Sequence, residues 1–231
     1  QPASWADRYS HPQKLIDLLD PYVGHKAMEP MLKANNSAPD TVAQVNTLRT
    51  DTAALTEELT KAGVSVIKHP WMPDCLILQN PGNLEALPSF REGLFYIQDA
   101  AAKLSVLCAQ IRPDSRVLDC CAAPGGKSFA AAMATGGTGC ITSCDVHEHK
   151  ISLIDGGAKR LGMENITAGV QDASLCREEW LSQMDAVIAD VPCSGYGIIR
   201  KKPDIRNKDP KTMEDLPQLQ LQILCNQARY V

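Results

Sequence analysis

The chain has 231 residues, 44% of them hydrophobic and 22% charged, enough to bury one good core and a second, smaller one. That balance is the composition of a folded chain rather than a disordered one, and no apolar run approaches the ~20 residues of a membrane-spanning helix. The net charge of −4 argues weakly against nucleic-acid binding, because phosphate contacts need lysine and arginine.

The N-terminus, "QPASWADRYSHP", has no basic region followed by an apolar stretch, so no secretory signal is expected. It does not begin with Met, which points to a processed chain or an excised fragment. Residues 12–35 carry Leu15, Ile16, Leu18 and Leu19 at helical spacing, with Pro21 predicted to break the run. "VAQVNTL" (42–48) and "DCLILQN" (74–80) read as short strands around the helical "DTAALTEELTKAG" (51–63). Asp51 can cap that helix and Gly63 can end it. Residues 1–90 therefore read as a small α+β region closed by the turn-rich "NPGNLEALPSF".

From Gln98 the pattern changes. "QDAAAKLSVLCAQI" is a helix, and Pro113 and Asp114 then turn the chain. Four short apolar strands follow: "RVLDCC" (116–121), "GCITSCDV" (139–146), "ITAGVQD" (166–172) and "DAVIAD" (185–190). Apolar strands alternating with helical or connecting segments imply an α/β domain over 91–231, with a parallel sheet covered on both faces. Such sheets bind ligands beyond the carboxyl ends of their strands. Each strand here ends on or beside an acid: Asp119, Asp145, Asp172 and Asp190.

The loop after the first of these strands, "CCAAPGGKS", nearly matches the phosphate-binding G-x-x-x-x-G-K-[ST]. Aligning Gly126, Lys127 and Ser128 puts Cys121 where the first glycine belongs, and "DAVIAD" can pass for the acidic strand of a nucleoside triphosphatase. Cysteine with Pro124 behind it would wrap phosphates poorly, and the dinucleotide fingerprint G-x-G-x-x-G is missing. The acids point elsewhere. Asp145 can accept hydrogen bonds from both ribose hydroxyls of an adenosine, and Asp172 can accept from an adenine amino group. Those carboxylates would oppose a triphosphate but suit an adenosine with a positive centre, S-adenosylmethionine.

"CAAPGGK" (121–127) followed by "DVPCSG" (190–195) resembles the RNA cytosine-C5 methyltransferases of the Sun/Fmu family. "IIRKKPDIR" (198–206) and "PQLQLQIL" (217–224) are similar to its bacterial small-subunit rRNA methyltransferase B branch. "RYSHP", "LKANN", "VNTLRT", "ALPSF" and "YIQDAAAKL" extend the similarity over nearly the whole chain. The resemblance implies a Rossmann-like class I methyltransferase sheet, incomplete in this chain, behind a small N-terminal α+β RNA-recognition domain (1–90). It implies a cofactor loop formed by Cys121, Ala122, Ala123, Pro124, Gly125, Gly126 and Lys127. Asp145 is then expected on the ribose, Asp172 on the adenine edge, and Asp190 between cofactor and target base. The basic "RKKPDIRNKDPK" (200–211), by charge alone a solvated loop, is expected along the RNA backbone through Arg200, Lys201, Lys202 and Arg206. The family usually has an aromatic residue at Lys14 and arginine at Gln44. It also has better helix formers at Gly156 and Gly157, each glycine costing about 1 kcal/mol relative to alanine.

Methylation at C5 of cytosine needs a thiolate that adds to C6 and makes C5 nucleophilic. Read alone, Cys193 of "DVPCSG" looks like that thiol. The resemblance implies instead that it assists product release, the attacking thiol belonging to a Thr-Cys-Ser/Thr motif on the next strand, beyond Val231. Cys225 falls inside a helical pattern and is no substitute. The nine cysteines, an odd number with no C-x-x-C pair, fit a reduced cytoplasmic protein without a metal site. A sheet stopped after "DAVIAD" is expected to leave an apolar edge, prone to instability or association. The expected function is therefore S-adenosylmethionine-dependent formation of 5-methylcytosine in RNA, with rRNA the partner class. The alternatives are a P-loop-like nucleoside triphosphatase and a non-catalytic RNA-binding assembly factor.

Overall fold

The computed structural model describes residues 4–231. It forms two compact units. One joins the segment ending at Pro39 to Cys193–Pro217, and the other joins Asp40–Pro192 to Gln218–Val231. The second unit runs on through residue 90, and a strand beyond it, Phe95–Ile97, pairs with Thr41–Val45.

In the first unit, helices α1 (Trp5–Tyr9), α2 (Gln13–Val23) and α3 (His25–Asn35) bury Ile16, Met28 and Leu32 together. Pro21 does not break α2, contrary to expectation. It lies in the last turn on an exposed position, and the carbonyl left without its N–H is that of the exposed Asp17, open to water; the helix ends at Gly24. The basic stretch is not an open loop. It folds into 3₁₀ turns at Tyr196–Ile198, Pro203–Asn207 and Pro210–Met213, which bury Ile199 and Ile205 against Leu15.

The second unit begins with β1 (Thr41–Val45), α4 (Thr52–Lys61), β2 (Ser65–Lys68), β3 (Cys75–Gln79), α5 (Pro88–Arg91) and β4 (Phe95–Ile97). Its antiparallel sheet has the order β2-β3-β1-β4. The Asp51 carboxylate accepts the N–H groups of Ala53 at 2.8 Å and Ala54 at 2.9 Å, which starts α4 as expected. Leu55 and Leu59, one turn apart, are fully buried against Ala43, Leu76 and Phe95, and Gly63 at φ +82° turns the chain out of the helix. β2 and β4 are four and three residues long, too short to display a period of two in the sequence.

The unit continues through α6 (Ala100–Cys108), β5 (Arg116–Asp119), α7 (Gly126–Ala134), β6 (Cys140–Asp145), α8 (Glu148–Leu161), β7 (Ile166–Val170), β8 (Ala186–Ile188) and α9 (Leu216–Gln227). The sheet is wholly parallel, in the order β7-β6-β5-β8. Adjacent residues of β5 feed opposite faces. Val117 packs with Ile141, Ala131 and Leu161, whereas Leu118 packs with Cys144, Ile223 and Tyr230. Between β7 and β8 the described residues hold only a 3₁₀ turn, Glu178–Trp180, where a longer helical connection is the usual crossover. Just before β8 the N–H groups of Ser182 and Met184 donate to the carbonyls of Arg229 and Tyr230, at 3.1 and 2.8 Å, so the chain's own last residues flank that edge.

The small sheet is locked to α8 by the buried Asn46 and the half-buried Arg160. Asn46 Nδ2 donates to the carbonyls of Gly93 at 2.8 Å and Leu161 at 2.9 Å. The Arg160 guanidinium lies 3.9 Å from the Phe90 ring centroid and donates to the carbonyls of Phe90 and Phe95. Gln44 is buried in β1 with both ends used: it donates to the Gln98 carbonyl at 2.8 Å and accepts from the Cys75 thiol, also at 2.8 Å. No helix among the described residues is long and apolar enough to cross a membrane.

Candidate functional site

A parallel sheet delivers all its strand C-termini to one edge, and there the second unit has a cavity of about 450 Å³. Each strand contributes a wall. Cys121 and Ala123 come from the loop after β5, Asp145 from the end of β6, Asp172 from two residues past β7, and Asp190 with Pro192 from beyond β8. Leu219 and Ile223 of α9 supply an apolar side.

The three cavity acids are held in different ways. Asp145 is nearly buried; its Oδ1 accepts the His147 N–H at 3.0 Å and lies 3.5 Å from Lys150 Nζ, one turn into α8. Asp172 accepts both the N–H and the hydroxyl of Ser174, at 2.9 and 2.7 Å, in a tight Asx turn. Asp190 is exposed and pairs through Oδ2 with Lys127 Nζ at 2.6 Å. The fourth strand-end acid, Asp119, is not at the cavity. It is completely buried, and a hydroxyl chain runs to it from Ser143 through Ser128, with links of 2.8 and 2.7 Å. Burial pushes its pKa up to about 6.

Only part of the "CAAPGGK" loop faces the cavity. Cys121 and Ala123 do. Ala122 is buried, its N–H donating to the Cys144 carbonyl at 2.7 Å. Pro124, Gly125, Gly126 and Lys127 lie outside the lining. Gly125 sits at φ +113°, against the ring of Phe129, and a Cβ on Gly126 would come within 2.5 Å of the Gln98 amide. The glycines thus allow close packing beneath the loop. The Cys120 thiol donates to Cys121 Sγ at 3.9 Å, which together with burial pushes the Cys120 pKa up. Burial raises that of Cys144 to about 11.

This geometry disfavours the triphosphatase. The Ser128 hydroxyl that such a loop would offer to a metal ion is buried on Asp119, and the lysine is taken by Asp190.

In the first unit Cys193 is exposed. The Arg200 guanidinium donates to the Ala38 carbonyl, and Arg206 donates to the carbonyls of Ser10 at 2.7 Å and Pro203 at 3.0 Å. These two arginines tie the basic segment to the N-terminal helices. Lys202 is exposed, as is Lys201. Lys208 Nζ donates to the Ser194 carbonyl at 3.1 Å.

Sequence reasoning missed Lys150, Ser174, Leu219 and Ile223 as parts of the site. The D-x-S turn at 172–174 was a readable signal for Ser174, whereas "PQLQLQILCNQ" carries no helical apolar stripe that would have singled out Leu219 and Ile223, since Leu221 and Leu224 of the same helix are exposed.

A family model described as "16S rRNA methyltransferase RsmB/F" matches residues 106–231, and one described as "Methyltr_RsmF/B-like, ferredoxin-like domain" matches residues 11–85. The chain is 35% identical over 221 residues to a Bacillus subtilis (strain 168) protein named "Probable ribosomal RNA small subunit methyltransferase B", covering 95% of this chain and 49% of that protein. The crystal structure of PH0851 superposes with a TM-score of 0.94 at 27% identity, covering all of this chain and 54% of that one. The structure of NSun6 from Pyrococcus horikoshii with SFG shares the fold, with a TM-score of 0.84 at 16% identity, covering 95% of this chain and 80% of that one. The chain spans about half the length of the curated relatives it matches.

Proposed function

The chain belongs to the RsmB/F family of 16S rRNA methyltransferases, and from that premise we propose that it binds S-adenosylmethionine and serves the formation of 5-methylcytosine in RNA, with small-subunit rRNA the substrate class and the cytoplasm the compartment. The observation that carries the reading is the set of three carboxylates on one cavity, fed by three different strand tips.

The donor set fits the cofactor. Asp145 has one oxygen committed to His147 and Lys150, and the carboxylate retains acceptor capacity for ribose hydroxyls. Asp172, fixed by Ser174, offers an acceptor for an exocyclic amino group. Leu219, Ile223 and Pro192 give an apolar surface for a base, and the cavity volume lies in the range of small-molecule sites. When bound, the cofactor supplies an electrophilic methyl group on a sulfonium. The protein's part is to orient it and to surround its positive charge with carboxylates. Asp190 would stand between cofactor and target cytosine, oriented by its pairing with Lys127.

We assign Cys193 to release of the methylated product and the attack on C6 to a thiol outside this chain. The N-terminal region (1–90) is assigned to RNA recognition. The exposed Lys201 and Lys202 are the first candidates for backbone phosphates, while Arg200 and Arg206 shape the segment that presents them.

Titration calorimetry with S-adenosylhomocysteine tests the cofactor assignment. Asp145→Ala removes acceptors to the ribose worth about 1.5–3 kcal/mol, so affinity is expected to fall at least tenfold. Undiminished binding by the variant, or displacement of the ligand by ATP, overturns the reading.

A further inference from the structure

Helix α9 does more than supply an apolar wall. Its amide side chains reach the two loops that carry Asp172 and Asp190. Asn226 Nδ2 donates to the Ala173 carbonyl at 2.8 Å and to the Leu175 carbonyl at 2.9 Å. Gln227 Nε2 donates to the same Ala173 carbonyl at 2.8 Å, so two side-chain amides converge on one backbone oxygen beside Asp172. Both residues are buried, at 7% and 3% exposure. At the other loop, Gln220 Nε2 donates to the Pro192 carbonyl at 2.7 Å. Just beyond α9, the hydroxyl of the fully buried Tyr230 accepts the Arg177 N–H at 2.8 Å and pins the far end of the 171–177 segment.

Helix packing alone does not call for this arrangement. Leu219 and Ile223 already give α9 an apolar contact with the cluster that also holds Tyr230. Asn226 Oδ1 and Gln227 Oε1 are buried without a protein donor among the described residues, a cost that a pair of apolar side chains would avoid. What the amides achieve is local. They fix the backbone of Ala173, the residue between Asp172 and Ser174, and the turn that aims the Asp172 carboxylate is built on those three positions.

We propose that Asn226 and Gln227 are positioning residues that set nucleobase selectivity, by clamping the Ala173 carbonyl and so holding the Asp172 carboxylate where it reads a 6-amino group. The proposal rests on the cofactor reading above and deepens it. A base carrying a 6-amino donor satisfies the clamped carboxylate, whereas a 6-oxo base presents an acceptor to it. A loosened loop can turn the carboxylate aside and lose that discrimination.

The test compares S-adenosylhomocysteine with its 6-oxo analogue, S-inosylhomocysteine, by calorimetry on the 231-residue chain. Asn226→Leu and Gln227→Met keep roughly the side-chain volume and remove the donors. Each is expected to cut the adenine-to-hypoxanthine affinity ratio at least fivefold and to speed amide hydrogen exchange across 171–177. Gly157→Ala, a destabilised control on α8, is expected to leave the ratio unchanged. If the native chain fails to bind S-adenosylhomocysteine, the cofactor reading falls and takes this inference with it. If the native chain binds and discriminates but both variants keep its ratio, the clamp alone is refuted. An equal loss of ratio in Gly157→Ala also refutes it, by showing that general softening suffices.

Discussion

Two adjacent glycines in α8 should respond to the same substitution with opposite signs. Gly156 is exposed, has no neighbouring heavy atom within 4 Å of an added Cβ, and carries an ordinary helical backbone. Gly156→Ala should therefore return the helix-propensity difference, about 0.8–1 kcal/mol of added stability. Gly157 gains the same propensity but meets Phe129: its Cβ would lie 2.4 Å from Cζ and 3.0 Å from Cε2. Carbon atoms pack at roughly 3.5–4.0 Å, so ring or helix must move by about 1 Å or more. The ring has little room to retreat. Phe129 is 5% exposed, Gly125 is packed so closely that a Cβ there would also lie 2.5 Å from Cζ, and Tyr96 meets the ring edge-on at 5.5 Å. Overpacking of that kind costs about 1–3 kcal/mol, which exceeds the propensity gain. Urea unfolding followed by circular dichroism should place the two variants about 1–3 kcal/mol apart, Gly156→Ala above the native protein and Gly157→Ala below it. In a melt, Gly156→Ala should raise Tm by about 2–4 °C. Phe129→Leu should then recover part of the Gly157→Ala loss in a double-mutant cycle. Two variants stabilised alike, or a cycle with no coupling, would refute the packing account.

Asp119 gives a pH signature. Its pKa rises from 3.8 to about 6 on folding, so the native state binds the proton more tightly and stability is lost as pH rises from about 4 through 6. Asp119→Asn keeps an acceptor for Ser128 and removes the ionisation, so it should be more stable than the native protein at pH 7 by about 3 kcal/mol, with the gap closing toward pH 4. A difference that stays flat between pH 4 and pH 7 sinks this assignment. For Cys193, methyl-transfer assays with radiolabelled cofactor and RNA should yield no 5-methylcytosine from the 231-residue chain; product formation would make Cys193 the attacking thiol.

The elements legible in the sequence were those whose cause is local. Asp51 and Gly63 mark α4 because capping and a left-handed turn depend on the residues themselves. The four parallel strands were readable as short runs rich in apolar residues, the central pair β5 and β6 being the well-buried ones and the edge strand β7 carrying no buried residue. Pro21 was misread because a proline ends a helix only where its missing bond and its ring cannot be tolerated, and an exposed last turn tolerates both. Gln44 departs from the family's arginine, yet it is a buried sheet residue whose two ends are used by Gln98 and Cys75, which only the tertiary pairing reveals.

The same division runs through the site. That Asp145, Asp172 and Asp190 would converge followed from topology alone, since strands that run parallel in one sheet finish at one edge whatever joins them. Which residues of the glycine loop reach the cavity did not follow, because long-range contacts decide it. Lys127 is drawn to an acid 63 positions away, and Gly125 and Gly126 are spent on packing against Phe129 and Gln98. The clamp on Ala173 comes from residues 53 and 54 positions further along, on a helix whose amides no local pattern assigns to a task. A carboxylate at a strand tip is thus announced by its own strand. Its aim is set by whatever distant side chain holds the backbone beneath it, and selectivity for the base is a property of that aim.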